Sequence, residues 1–308
     1  MRAAIVVLNY QRCEALRRTL EAARRQRGPV HEVVVVDNGS TDGSVEMVRR
    51  DFPDVQLIAL DRNEGTAARN VGVAAARADI VVTLDNDVLL TTAEDVARAV
   101  DAFARYPRAA VVDFMVLGPD GRLSRRDWCH PRDPDRWAEA EFPTSCVLEG
   151  ASACRRAAFL AVGGYWPPLF LGHEGVDLAL RLINAGWEVR YTPAVRVQHL
   201  IAPTARPAER IYYTFTRNAV WVALRNLPAG AALGAVAQDL ALMALCAARA
   251  GQLGAFVRGV RDAVAGAPAA LATRRPLSRA ARAHLRAVRA HRPGLLARVR
   301  RHLRERLI

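Results

Sequence analysis

Asp85, Asn86 and Asp87 follow the largely apolar run 78–84. A run rich in β-branched residues reads as a buried strand of a parallel sheet. Ligands of open α/β sheets bind beyond the carboxyl ends of such strands. Two carboxylates one residue apart at that edge offer hard oxygen ligands to Mg2+ or Mn2+, and such a cation can hold a diphosphate. The same acids would also serve to solvate a loop or to cap a helix starting near Thr92. What else gathers at the edge decides between these readings.

A second run, 32–36, breaks into Asp37, Asn38 and Gly39, a strand-to-turn transition. A carboxylate there can accept hydrogen bonds from a ribose hydroxyl or a base N–H. The first run, 3–8, ends in Asn9 and Tyr10 at the same edge. Gly65 opens an alanine-rich helix that carries Arg69 early, where a guanidinium and helix N-terminal amides face phosphates together. Asn9, Tyr10, Asp37, Asn38, Gly65, Arg69, Asp85 and Asn86 are therefore the expected nucleotide-binding set.

Further along, Glu174 and Asp177 fall in the first turn of an amphipathic pattern and share a face. Acids at a helix start also complement its dipole, for about 0.3–1 kcal/mol each, so chemistry is not their only explanation. His199 follows the alternating stretch 194–198, and a lone histidine at a strand end is usually structural. His173 stands beside Glu174, where it could touch a ligand phosphate.

The elements that must position these residues alternate. Strands are predicted near 3–9, 32–37, 55–60 and 79–84, with helices near 12–26, 42–51, 65–76 and 93–105. That order implies a parallel sheet with right-handed crossovers. A strand near 109–117 leads into Gly118, Pro119, Asp120 and Gly121, a hairpin turn. Residues 122–145 are polar and read equally as a substrate-facing loop or a surface insertion.

These segments carry a resemblance. Val6-Val7-Leu8-Asn9-Tyr10, Asp37-Asn38-Gly39-Ser40-Thr41-Asp42, Asn63 with Gly65, Ala68-Arg69-Asn70 and Gly72, and Leu84-Asp85-Asn86-Asp87 resemble the family-2 glycosyltransferases of GT-A fold. The bacterial rhamnosyltransferase-like group is the nearest in pattern. Gly150, Gly163-Gly164-Tyr165, His173-Glu174-Gly175-Val176-Asp177, Ala185-Gly186-Trp187 and Val197-Gln198-His199 continue it in order over residues 1–200. The resemblance implies a Rossmann-like α/β catalytic domain with a mostly parallel sheet. It implies a nucleotide-diphosphate sugar donor and a lipid-linked or polysaccharide acceptor in cell-envelope glycan synthesis. It also implies Mn2+ or Mg2+ held by Asp85 and Asp87 with His199 as third ligand. Inverting transfer needs a carboxylate base, which the resemblance places in the 174–177 segment. Many members have Glu-Asp where this chain has Glu174-Gly175. Glu174, nearer the loop edge, is then the expected base, with Asp177 as the alternative or as support; a catalytically impaired sugar-nucleotide-binding scaffold stays open.

Composition agrees. The 308 residues contain no lysine, which excludes a Walker-A loop and a Schiff-base lysine and disfavours a nucleotidyltransferase with a basic triphosphate loop. Five cysteines without Cys-x-x-Cys spacing argue against a disulfide framework or zinc site and fit a reducing compartment. No signal peptide is expected at the N-terminus.

Charge is uneven. Residues 201–308 carry 19 arginines against four acids, a net of +15, which leaves −2 for residues 1–200 of a chain at +13. We place a boundary near residue 200, followed by a basic, helical, amphipathic tail over 201–308. Residues 208–227 mix Tyr212, Tyr213, Phe215 and Trp221 with arginines, the composition of a membrane–water interface. Residues 229–248 are long enough to span a bilayer, but Gln238 and Asp239 sit at the centre. They are expected to lie on the membrane or pack against the catalytic unit. The arginine-rich stretch 274–306 reads as an anionic-lipid contact or a solvated basic helix pair. No aromatic follows Phe256, so no nucleic-acid partner is expected. The predicted location is the cytoplasm, peripheral to the inner face of the cytoplasmic membrane.

Overall fold

The computed structural model describes residues 1–200 and 207–294. Its central strand is β1 (Ala3–Asn9), in which Ala3 to Val7 are wholly buried. Burial on both faces explains the unbroken apolar run. Then come α1 (Cys13–Arg24), β2 (Val30–Asp37), α2 (Ser44–Asp51) and β3 (Gln56–Ala59). A 3-10 turn, Gly65–Ala68, leads into α3 (Arg69–Ala75), followed by β4 (Ile80–Asp85), β5 (Val88–Leu90), α4 (Asp95–Arg105) and β6 (Ala109–Leu117). After α5 (Pro134–Trp137) and β7 (Phe142–Thr144) come β8 (Ala151–Arg155), α6 (Arg156–Ala161), α7 (Glu174–Asn184) and β9 (Glu188–His199).

The sheet runs β3-β2-β1-β4-β8-β6-β9-β5, with β7 also on β9. Strands β3, β2, β1 and β4 are parallel, as the β-α alternation predicts, and so is β6 with β9. Strand β8 enters antiparallel between β4 and β6, and β5 and β7 are antiparallel to β9, so the whole is mixed. One apolar layer sits under α1 and α4, around Leu16, Leu20 and Phe103; the other holds Val73, Phe159 and Leu178.

The hairpin turn forms at 118–121, where the Gly118 N–H donates to the Arg122 carbonyl at 2.7 Å and Leu117 bridges Leu123. Residues 122–145 are a folded insertion. Trp128, His130 and Phe142 bury themselves against Tyr191, with the Phe142 and Tyr191 rings stacked at 4.9 Å.

Five helices follow among the described residues: α8 (Ala208–Asn226), α9 (Ala229–Arg249), α10 (Leu253–Ala265), α11 (Ala267–Ala272) and α12 (Arg279–Arg289). Helix α8 is clamped to the catalytic unit. Asn218 Nδ2 donates to the carbonyls of Leu169, Leu171 and Gly172 at 2.9, 3.0 and 2.7 Å. Leu180 and Ile183 of α7 share an apolar cluster with Trp221 of α8 and Leu285 of α12. The expected boundary near 200 meets residues 201–206, and the expected basic stretch runs past 294; those residues lie outside the described ones.

Candidate active site

Register brings the strand ends together. Asn9 closes β1 opposite Asp37, which closes β2. Asn9 Nδ2 donates to Asp37 Oδ1 at 2.7 Å, and Asn86 Nδ2 donates to Asn9 Oδ1 at 2.7 Å. The Ser40 N–H donates to Asp37 Oδ2 at 2.8 Å. This chain of bonds holds a buried carboxylate in one orientation beside Tyr10, a residue 43% exposed. Asn38 does a different job. Its Nδ2 donates to Asn63 Oδ1 and the Gly65 carbonyl, both at 3.0 Å, and its Oδ1 accepts from the Glu64 N–H at 2.8 Å. Gly65 has φ +67°, and a Cβ there would collide with the Phe170 carbonyl. Asn38 and Gly65 thereby shape the loop that presents Arg69.

Asp85 closes β4, and its carboxylate is ion-paired with Arg69, which is buried. Gly150 lies against it so closely that a Cβ would strike the carboxylate. Asp87 is ion-paired with Arg12. His199 closes β9 and pairs with β5 at Val88, which sets it beside Asp87. Its Nε2 is 3.5 Å from Asp87 Oδ1, and its Nδ1 is 3.0 Å from Asp127 Oδ2. Burial disfavours charge on this ring, but hydrogen bonds to Asp127 and Asp87 outweigh burial and push its pKa up to about 10. The donor set fits a small divalent cation that takes the place of the proton between His199 Nε2 and Asp87. Asp87 and His199 stand close enough for both to reach one ion with bonds of about 2.1 Å. A carboxylate on the second ring nitrogen is the usual orienting partner of a metal-binding histidine.

The other side of the crevice is built where α7 begins. Gly172 and His173 take positive φ, 90° and 66°, and turn the chain into the helix. Glu174, 5% exposed, accepts the Thr66 hydroxyl on Oε1 at 2.6 Å. Residue 175 has no room for a side chain, since a Cβ there would collide with the Val147 carbonyl and with Glu149 Oε1. Glu149 is half-buried in the loop before β8; burial and then the Glu174 charge push its pKa up, while the Arg69 charge opposes them. Asp177 faces the other way. It is fully buried and receives Arg181 Nε at 2.9 Å, Arg225 Nη1 at 2.6 and 2.7 Å, and Asn226 Nδ2 at 2.7 Å. That corrects the alternative that made Asp177 a base: its oxygens are committed inside a helix-joining cluster. His173 packs its ring 5.2 Å from that of Phe215, and burial pulls its pKa down against the opposing charge of Asp239.

The profile of Glycosyl transferase family 2 matches residues 4–163, more than half of the chain. The chain belongs to glycosyltransferase family 2. It is 27% identical over 230 residues to the N-acetylglucosaminyl-diphospho-decaprenol L-rhamnosyltransferase of Mycobacterium tuberculosis (strain CDC 1551 / Oshkosh), covering 63% of this chain and 75% of that protein. It is 42% identical over 128 residues to the undecaprenyl-phosphate 4-deoxy-4-formamido-L-arabinose transferase of Pseudomonas paraeruginosa (strain DSM 24068 / PA7), covering 40% of this chain and 35% of that protein. The mannosyltransferase PcManGT from Pyrobaculum calidifontis, solved with GDP-Man and Mn2+, superposes with a TM-score of 0.57 at 22% identity, over 99% of this chain and 87% of that one. The fold is GT-A, and the enzyme is a glycosyltransferase of the rhamnosyltransferase-like group.

In this glycosyltransferase three groups at the site escaped the sequence reading. Arg12 and Asp127 meet Asp87 and His199 from 75 and 72 residues away. Glu149 had a local signal, an acid inside the otherwise uncharged stretch 142–154, directly before Gly150.

Proposed function

We propose that this glycosyltransferase moves a sugar, with inversion, from a nucleotide-diphosphate donor to a lipid-linked acceptor of cell-envelope glycan assembly. The observation that carries this reading is the convergence of Asp37, Arg69, Asp85, Asp87 and His199 on one sheet edge, facing Glu174 and Glu149. Asp37, held by Asn9, binds the nucleoside, and exposed Tyr10 lies against it. Arg69 and Arg12 meet the diphosphate with charge-assisted hydrogen bonds. Asp87 and His199, with Asp85 as a further ligand, would hold Mn2+ or Mg2+, which would supply positive charge to the departing nucleoside diphosphate. The acceptor hydroxyl approaches from the α7 side, where a carboxylate takes its proton.

The lipid-linked acceptor is supported by the polyprenyl carriers in the names of both bacterial relatives and by the C-terminal helices. Helix α9 is long and apolar enough to cross a membrane, with mean hydropathy 1.7, and only 22% of its most apolar stretch is buried. Leu233, Leu245, Val257 and Val264 are exposed across α9 and α10. Asp239, half-buried, is close enough to His173 to influence its charge. That arrangement suits a helix lying on the inner bilayer surface beside the site.

The experiment is incubation of the full-length protein with Mn2+, a polyprenyl-diphosphate-linked sugar and a panel of sugar nucleotides. Release of nucleoside diphosphate together with an elongated lipid supports the reading. Pyrophosphate release, or no product with any donor, overturns it.

A further inference from the structure

We propose that Glu149 is the catalytic base, the group that takes the proton from the acceptor hydroxyl. The inference rests on the glycosyl-transfer reading above and deepens it. Three carboxylates surround the start of α7, and the structure distributes them unequally. Asp177 is sealed into its arginine and asparagine cluster. Glu174 is nine-tenths buried and takes the Thr66 hydroxyl, so it forms a wall of the site. Glu149 is the more open of the remaining two.

Its position is specific. The resemblance expects a carboxylate on residue 175, and here that residue is glycine. The space a side chain at 175 would enter is filled by Glu149 Oε1 and the Val147 carbonyl. A carboxylate is thus present at that point of the site, delivered from the neighbouring loop. The loop is pinned at three points: the Val147 N–H donates to the Gly175 carbonyl at 3.2 Å, the Leu148 N–H to Asp113 Oδ1 at 2.9 Å, and the Asp85 N–H to the Gly150 carbonyl at 3.1 Å. Glu149 therefore stands between Asp85, at the diphosphate end, and the first turn of α7.

The step balances without another reactant. The acceptor oxygen bonds to the anomeric carbon, and the bond from that carbon to the diphosphate oxygen breaks. Its electron pair leaves on the nucleoside diphosphate, and the hydroxyl proton passes to the Glu149 carboxylate.

The test compares wild type with Glu149→Gln, Glu149→Ala and Glu174→Gln in full-length protein, measuring kcat, KM for acceptor and donor, nucleoside diphosphate affinity and Tm. Glu149→Gln is expected to lose kcat by about 10²–10⁴-fold, with donor affinity and Tm unchanged. Formate is expected to restore part of the turnover of Glu149→Ala by placing a carboxylate in the vacated space, a rescue that a packing role would not produce. Glu174→Gln is expected to lower Tm and lose less kcat than Glu149→Gln. Full turnover by Glu149→Gln in the presence of an active wild type overturns this role and leaves glycosyl transfer standing. A wild type that releases no nucleoside diphosphate overturns both.

Discussion

Asp177 on α7 and Arg225 on α8 meet through one guanidinium nitrogen, 2.6 and 2.7 Å from the two carboxylate oxygens. With Arg181 and Asn226 on the same carboxylate, the pair bolts the C-terminal helices to the helix whose first residue is Glu174. The helices after residue 207 are therefore part of the site's frame.

Removing that carboxylate leaves two arginines partly or wholly buried without their partner. Asp177→Ala is expected to cost about 3–5 kcal/mol, as broken buried ion pairs do, and to lower Tm in a thermal melt. An unchanged Tm would show that the cluster contributes nothing to joining α7 and α8.

Metal binding is expected to depend on Asp127 although it does not touch the ion. Asp127→Asn loosens the orientation of His199 and is expected to weaken Mn2+ affinity by about 10–100-fold, read from activity against free Mn2+. EDTA is expected to abolish turnover and Mn2+ or Mg2+ to restore it. Full activity in EDTA would remove the metal from the reading.

The two ends of the donor are separable. Asp37→Ala is expected to weaken nucleoside and nucleoside diphosphate alike, since both present the same ribose and base. Arg69→Ala is expected to weaken the diphosphate by about tenfold or more, the scale of a charge-assisted hydrogen bond, and to leave the nucleoside unaffected. Calorimetry with both ligands checks this, and equal losses in the Arg69 variant would count against its role.

Membrane contact is expected to follow the outer face of α9. Wild-type protein should pellet with vesicles containing anionic lipid and be partly released by high salt, because screening acts on arginines and not on leucines. Leu233→Glu with Leu245→Glu should weaken pelleting without lowering Tm, since both side chains are already exposed. Unchanged pelleting of that variant would move the contact elsewhere.

Legibility in the sequence followed locality. The runs that became β1, β2 and β4 were readable because burial on both faces leaves an unbroken apolar stretch. Their polar ends, Asn9, Asp37, Asp85 and Asp87, were readable with them. Strands β7 and β8 were not, because Phe142–Thr144 is too short and Ala151–Arg155 too rich in small residues for a period to show. Glu174 and Asp177 looked equivalent because their spacing puts both in one helical turn. Only the packing of Thr66 on one and Arg225 on the other separates them. Arg12 and Asp127 join the site through pairings that no local pattern announces.

The collision between position 175 and the Glu149 carboxylate also constrains how this chain can vary. Placing an acid at 175 while Glu149 remains drives two like-charged groups into one space and against the Val147 backbone. Removing Glu149 alone leaves that space with no carboxylate at all. A side chain at 175 needs the Val147 backbone to move as well as the Glu149 carboxylate, so position 175 is expected to stay glycine wherever this loop keeps its path.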